Sequence, residues 1–180
     1  MAALTYAIIP GYDTEPPVRG SEFAAGIDIY VPRKTDQFIA DFKEFNEKAG
    51  LLNGCYANGT SITVSPHSRV LIPTGLKFNI PKGTYLGGEN RSGVASKMGL
   101  ILGPCIIDSD YQGQVFVGLI NTYHQPIYIP YNSKIVQLIH REYIHSDLEQ
   151  APIEELYSEI SQRGDGALGS TDKPKPPRLS

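Results

Sequence analysis

The stretch "RVLIPTGLKFNI", residues 69–80, decides what kind of chain this is. Its apolar residues are largely branched or aromatic, and towards its end Lys77 and Asn79 alternate with apolar neighbours. That period of two marks a half-buried strand. Pro-Lys-Gly at 81–83 follows as a turn signal, so the run reads as one strand ending at a turn.

The same texture extends in both directions. Further strands are predicted at "LTYAII" (4–9), "GIDIYV" (26–31), "SITV" (61–64), "GQVFVGLIN" (113–121), "PIYI" (126–129) and "KIVQLIHREYI" (134–144). In the last of these, Gln137 and His140 interrupt the apolar positions, and "PYNS" (130–133) marks the turn before it. With 18 glycines and 14 prolines separating such short runs, the pattern is that of an all-β sandwich or barrel. One segment departs from it. "TDQFIADFKEFNEKAG" (35–50) places Phe38, Ile39, Phe42, Phe45 and Ala49 on one helical face, with Thr35 or Asp36 as N-cap and Gly50 as stop. This inserted helix either covers an end of the barrel or meets a partner. At 180 residues the chain suits a single domain: a β-core over residues 1–145 with the helical insertion at about 35–50, then a polar, Pro/Gly-rich C-terminal arm over 146–180.

Composition removes several classes of function. A net charge of −3 and no basic stripe argue against a nucleic-acid partner, and no apolar run approaches the roughly 20 residues of a membrane span. Cys55 and Cys105 form neither a metal spacing nor a disulfide framework, and His67, His124, His140 and His145 are scattered. The opening "MAALTYAIIP" has no basic region or cleavage site. A reducing, cytoplasmic setting is expected.

Three segments carry chemistry. In "PCIIDSDYQGQ" (104–114), Asp108 and Asp110 follow an apolar run, a place where partial desolvation helps a carboxylate act as a base, and Tyr111 offers a flat face to a ring. A plain Asx-type turn plugged by a tyrosine fits the same residues. "GGENRSGVASK" (87–97) reads as a polar turn whose Arg91, Ser92 and Gly93 suit phosphate oxygens. "QRGDGALGSTD" (162–172) repeats that chemistry with Arg163, three glycines, Ser170 and Thr171. It is not a P-loop, since no Gly-Lys-Ser/Thr follows, and its Arg-Gly-Asp is a chance match to an adhesion tripeptide.

In order, "AAGIDIYVP" (24–32), "RSGVASK" (91–97), "CIIDSDYQG" (105–113), "KIVQLI" (134–139) and "RGDGALGST" (163–171) resemble the five motifs of the trimeric dUTP pyrophosphatases, the dUTPases. The resemblance spans about residues 20–172 and implies a jelly-roll-like, distorted β-barrel of the β-clip type. It also implies a homotrimer whose three sites each draw on three subunits. The implied substrate is dUTP or a related pyrimidine deoxynucleotide. Asp108 matches the base that deprotonates a water for attack on the α-phosphorus, and Gln137 a residue near that phosphate. Tyr111 matches the residue beneath the deoxyribose, while Cys105 and Ile107 fall at the base pocket. Arg91, Ser92 and Gly93 match the phosphate-binding turn. Asp28 matches the acidic residue that supports Mg2+ through water, the ion itself being held mainly by the triphosphate. Arg163 matches a γ-phosphate ligand on a closing arm, beside Leu168, Gly169, Ser170 and Thr171.

Departures from that pattern are informative. Leu168 stands where the family usually has an aromatic, Cys105 where it usually has glycine, and the 35–60 insertion is longer than usual. The first two bear on base recognition. The insertion and the altered arm lean towards a viral or phage source, which would place the protein in a host cytoplasm, and the insertion leaves room for a nucleotide-gated interaction module on the same fold. A deaminase of related scaffold is disfavoured because Gly118 occupies the place of its catalytic Glu.

Overall fold

The computed structural model describes residues 3–159, 161 and 164. The chain divides into two units, Met1–His145 and Ser146–Ser180. In the second, the described residues form a single 3-10 turn at Ile153–Glu155, and Ser146–Glu159 exposes every side chain.

The first unit is built from antiparallel pairs. Its largest sheet runs, edge to edge, through β10 (Ile106–Ile107), β8 (Thr84–Asn90), β13 (Lys134–Glu142), β3 (Ile27–Tyr30) and β2 (Val18–Arg19). Two three-stranded sheets follow: β6 (Arg69–Pro73) beside β11 (Phe116–Asn121) and β9 (Leu100–Leu102), and β12 (Ile127–Pro130) beside β5 (Ser61–Val64) and β4 (Cys55–Ala57). A two-stranded ribbon joins β1 (Thr5–Ile8) to β7 (Leu76–Asn79). Alternation aims Ile29, Ile62, Val64, Val70, Ile72, Leu86 and Leu119 at one shared apolar core.

The run at 69–80 is two strands rather than one. Gly75 adopts φ +70°, and a Cβ there would lie 2.5 Å from the Tyr12 ring. The chain turns at Thr74-Gly75, so that β6 stays with β11 while β7 leaves to pair with β1. Residues 87–90, read as part of a turn, belong to β8; Gly87 and Gly88 masked a strand whose side-chain pattern they interrupt. The short strands β2, β4 and β9 also escaped the sequence reading, each having too few residues to show a period, whereas the apolar run before Asp108 does form a strand, β10.

The helix α1 (Asp36–Lys48) forms where expected, with the Thr35 hydroxyl accepting from the Phe38 N–H at 3.1 Å and Gly50 past its end at φ +68°. Its buried face differs from the one predicted. Phe38, Phe42 and Asn46 are buried, Ile39 and Phe45 are half-buried, and Ala49 is exposed. Asn46 tolerates full burial because its amide is satisfied on every side. Nδ2 donates to the Leu71 carbonyl at 2.7 Å and to the Phe42 carbonyl at 2.8 Å, while Oδ1 accepts from the Leu71 N–H at 2.9 Å. A second anchor is Tyr12, whose hydroxyl donates to Asp41 at 2.6 Å and whose ring meets Phe38 edge-on. The helix therefore closes the outer edge of β6.

Candidate active site

The first cavity grows from the β8–β10 corner. Ile106 and Ile107 pair with Gly87 and Leu86, and the Gly88 N–H donates to the Cys105 carbonyl at 2.6 Å. Gly88 must lack a side chain, since a Cβ there would sit 2.9 Å from Leu102 Cδ2 and 3.3 Å from Cys105 Cβ. Past β10 the chain turns, with the Tyr111 N–H donating to the Asp108 carbonyl at 3.1 Å. The Tyr111 ring lies across Gly113, where a Cβ would overlap it, and its hydroxyl donates to the Gln114 carbonyl at 2.7 Å. These two constraints fix the ring while leaving 44% of the residue exposed. The result is a cavity of about 230 Å³ lined by Leu102, Cys105, Ile107, Asp108, Tyr111 and Phe116, among others. It is mostly apolar, with one carboxylate among its walls, which suits a flat heteroaromatic ring with a polar rim. Asp108 itself is exposed, so the partial desolvation expected from its position is not built by this chain alone. The cavity brings together Cys105, Ile107, Asp108 and Tyr111. Gln114, which the sequence reading did not single out, also lines it, and its Nε2 is buried without a partner.

The second pocket, about 260 Å³, is lined by Gly20, Ala24, Gly26, Asp28, Arg91, Ser92, Gly93 and Gln137. Asp28 and Gln137 are cross-strand partners in β3 and β13. Gly26 leaves the space that the Gln137 amide fills, and Gln137 Nε2 donates to the Asn90 carbonyl at 3.0 Å. Asp28, 8% exposed, is gripped by two cations: Arg91 Nε donates to Oδ1 at 3.0 Å and Lys134 Nζ to Oδ2 at 2.9 Å. That hydrogen bond holds the Lys134 ammonium pKa above its ordinary value. Arg91 Nη1 also donates to the Lys134 carbonyl at 3.0 Å. The guanidinium is thus aimed before any ligand arrives, and the pocket keeps an excess of positive charge. Ser92 and Gly93 lead into a single π-turn, Val94–Met98, and a Cβ on Gly93 would meet open space. Arg19 was missed. Its Nη1 donates to the carbonyls of Ala24 at 2.7 Å and Ala25 at 2.8 Å, holding the loop that forms one wall, and nothing in the motif spacing signals it.

Register sets the relation between the two cavities. Cross-strand partners share a sheet face, and neighbours along a strand alternate. Asp28, Gln137 and Glu89 are in register on one face; Ile27, Leu138 and Gly88 are in register on the other. The cavity built over Gly88 and the pocket built over Asp28 and Gln137 therefore open on opposite faces of one sheet.

Arg163, Leu168, Gly169, Ser170 and Thr171 lie outside the described residues. Among the described residues no cluster of three or more His, Cys, Asp or Glu could hold a metal ion, and no helix is long and apolar enough to cross a membrane. Both oxygens of Asp28 already face cations, a donor set that fits an ion brought in by a polyphosphate and not one caged by the protein.

Comparison with known proteins places these features in context. A family model described as dUTPase matches residues 57–172. The deoxyuridine 5'-triphosphate nucleotidohydrolase of Candida albicans is 30% identical over 157 residues, which cover 87% of this chain and 80% of that one. A dUTPase of Staphylococcus bacteriophage 80alpha, solved with dUpNHpp, superposes with a TM-score of 0.70 at 19% identity, covering 95% of this chain and 99% of that one. A variant dUTPase from phage phi11 of S. aureus, described with a structural Mg(II) ion, superposes with a TM-score of 0.64 at 17% identity over 88% of this chain and 100% of that one. At such identities the structural likeness speaks for the fold, which is the jelly-roll-like β fold.

Proposed function

This chain belongs to the dUTPase family, and on that premise we propose that it hydrolyses dUTP to dUMP and pyrophosphate at sites shared between subunits. The observation that carries the reading is the pairing of an apolar, carboxylate-rimmed cavity with a preorganised cationic pocket, each lined by residues of the family's motifs in their expected order. The pyrimidine enters the first, with Tyr111 packed beneath the deoxyribose and Cys105 and Ile107 beside the base. Arg91, Ser92 and Gly93 take phosphate oxygens in the second. Asp108 accepts a proton from a water as its oxygen bonds to the α-phosphorus. The bond from that phosphorus to the β-phosphate oxygen breaks, and pyrophosphate leaves with the electron pair. Gln137 orients the water or the α-phosphate, and Asp28 acts by holding Arg91 and Lys134 in place.

Mg2+ brought in by the triphosphate would supply charge neutralisation at the leaving pyrophosphate, and Asp28 would support it indirectly, through water. Because the two cavities face opposite sides of one sheet, one nucleotide cannot reach both on a single chain. A homotrimer meets that demand, each site taking Asp108 and Tyr111 from one subunit and Arg91 and Gln137 from another. The arm supplies Arg163 to the γ-phosphate, with Leu168, Gly169, Ser170 and Thr171 closing over the nucleotide. Two free thiols, Cys55 and Cys105, support a reducing cytoplasmic setting, in a host cell if the source is viral.

Pyrophosphate release from dUTP, dTTP, dCTP and UTP tests the reading. Asp108→Asn is expected to lower kcat by about 10²–10⁴-fold, the usual contribution of a positioned base, with dUTP binding retained. Undiminished turnover in that variant would sink the mechanism. A preference for dTTP would instead assign Cys105 and Leu168 to a reshaped base pocket.

A further inference from the structure

Phe116 forms one wall of the apolar cavity, and the ring behind it belongs to the inserted helix. The centroids of Phe45 and Phe116 are 4.3 Å apart with planes inclined at 50°, while Phe45 itself does not line the cavity. Lys48 Nζ lies 5.4 Å from the Phe45 centroid, so the ring meets a cation as well as the cavity wall. The next residue along the helix, Asn46, grips both backbone groups of Leu71 in β6, and Leu71 is the register partner of Gly118, two residues on from Phe116 in β11. Phe42 and Phe38, fully buried one and two turns earlier, fix the rest of the helix. The register of α1 against the sheet is thus locked beside Phe45, and the aromatic contact carries that rigidity into the cavity wall.

We propose that Phe45 is a positioning residue for pyrimidine binding: it acts through Phe116, and the insertion thereby sets the shape of the base cavity. The inference rests on the dUTP reading above for the identity of the ring that enters. A helix that merely capped the barrel would be served by Phe38, Phe42 and Asn46 alone; a half-buried phenylalanine packed against a cavity wall has a local consequence that those three lack. Removing its ring frees Phe116 to rotate, which weakens binding of the pyrimidine in ground state and transition state alike. Such a loss raises KM and leaves kcat in place.

Full-length wild type, Phe45→Ala, Phe45→Tyr and the exposed helix control Lys43→Ala are compared in steady-state dUTP hydrolysis and in calorimetric titration with dUMP and, separately, with inorganic pyrophosphate. Phe45→Ala is expected to raise KM for dUTP by about 3–10-fold with kcat within roughly twofold. Its dUMP affinity should fall by a similar factor with pyrophosphate affinity unchanged. Phe45→Tyr restores the ring and should match wild type, as should Lys43→Ala. Should the alanine variant fail to fold, Phe45→Leu, which fills the volume without an aromatic face, is measured in its place. The proposal is overturned if the ring-deleted variant keeps the wild-type KM, or if dUMP and pyrophosphate weaken together as general destabilisation would require. If wild type turns over another pyrimidine deoxynucleotide, the dUTP reading fails on its own, and the same titration with that nucleotide's monophosphate still decides the role of Phe45.

Discussion

A side-chain amide finishes the edge of a strand here: Asn46 meets both the N–H and the carbonyl of Leu71, as a neighbouring strand would. In the sequence it was an unremarked polar residue at the rim of an apolar helical face, and its partner lies 25 positions away, beyond any local pattern. Its neighbour Cys55, also buried, donates its thiol to Asn46 Oδ1 at 3.4 Å. Burial pushes the Cys55 thiol from the ordinary 9.0 up to about 11. The folded state therefore keeps this proton between roughly pH 9 and 11 while the unfolded chain loses it, so stability falls as pH rises through that window. Below it the contribution is fully present. Urea midpoints measured from pH 8 to 11 should drop more steeply for wild type than for Cys55→Ala. A thiol reagent at pH 8 should modify Cys105, which is exposed, and leave Cys55 untouched until the protein is denatured. Equal slopes for the two proteins, or two fast thiols in the native state, would count against this account.

Among the elements, those marked by helical spacing or by an apolar, β-branched run were legible, and β2, β4 and β9, of two or three residues, were not. The helix was visible from five spaced apolar residues, and β13 from an apolar run interrupted by Gln137 and His140. β8 was hidden because Gly87 and Gly88 have no side chains to mark its faces; Gly88 is glycine because Cys105 and Leu102 pack onto it, so the signal was lost where the cavity is built. The break between β6 and β7 was present in the sequence as Thr-Gly, but inside an unbroken apolar run it looked like alternation. Gly75 is the test of that break. Gly75→Ala forces an unfavourable φ and drives a methyl into the Tyr12 ring. It should cost about 2–4 kcal/mol in urea unfolding at 25 °C, combining backbone strain with steric displacement. A loss below roughly 1 kcal/mol would show that the turn relaxes freely.

For the molecule as a whole, four of the five spaced motifs mark the candidate site residues of the first unit, yet the sequence could not say that they fall on two faces of one sheet. That follows from cross-strand register, which only the pairing of β13 with both β3 and β8 reveals. Sedimentation should give a trimer. More tellingly, Asp108→Asn and Arg91→Ala proteins, each inactive alone, should regain activity when unfolded together and refolded as a mixture. Random assembly into trimers leaves roughly a quarter of sites with both intact groups. No recovery would mean that a single chain completes its own site.

Cys105 gives the apolar cavity a property that the family's usual glycine would not. It is a free, exposed thiol in the wall of that cavity. A pyrimidine nucleoside carrying a mild, cysteine-directed electrophile would find here an anchoring point that a glycine-bearing relative lacks. Selective covalent inhibition, and a fluorescent label placed at the mouth of the site, are both open to this chain through a single sulfur atom.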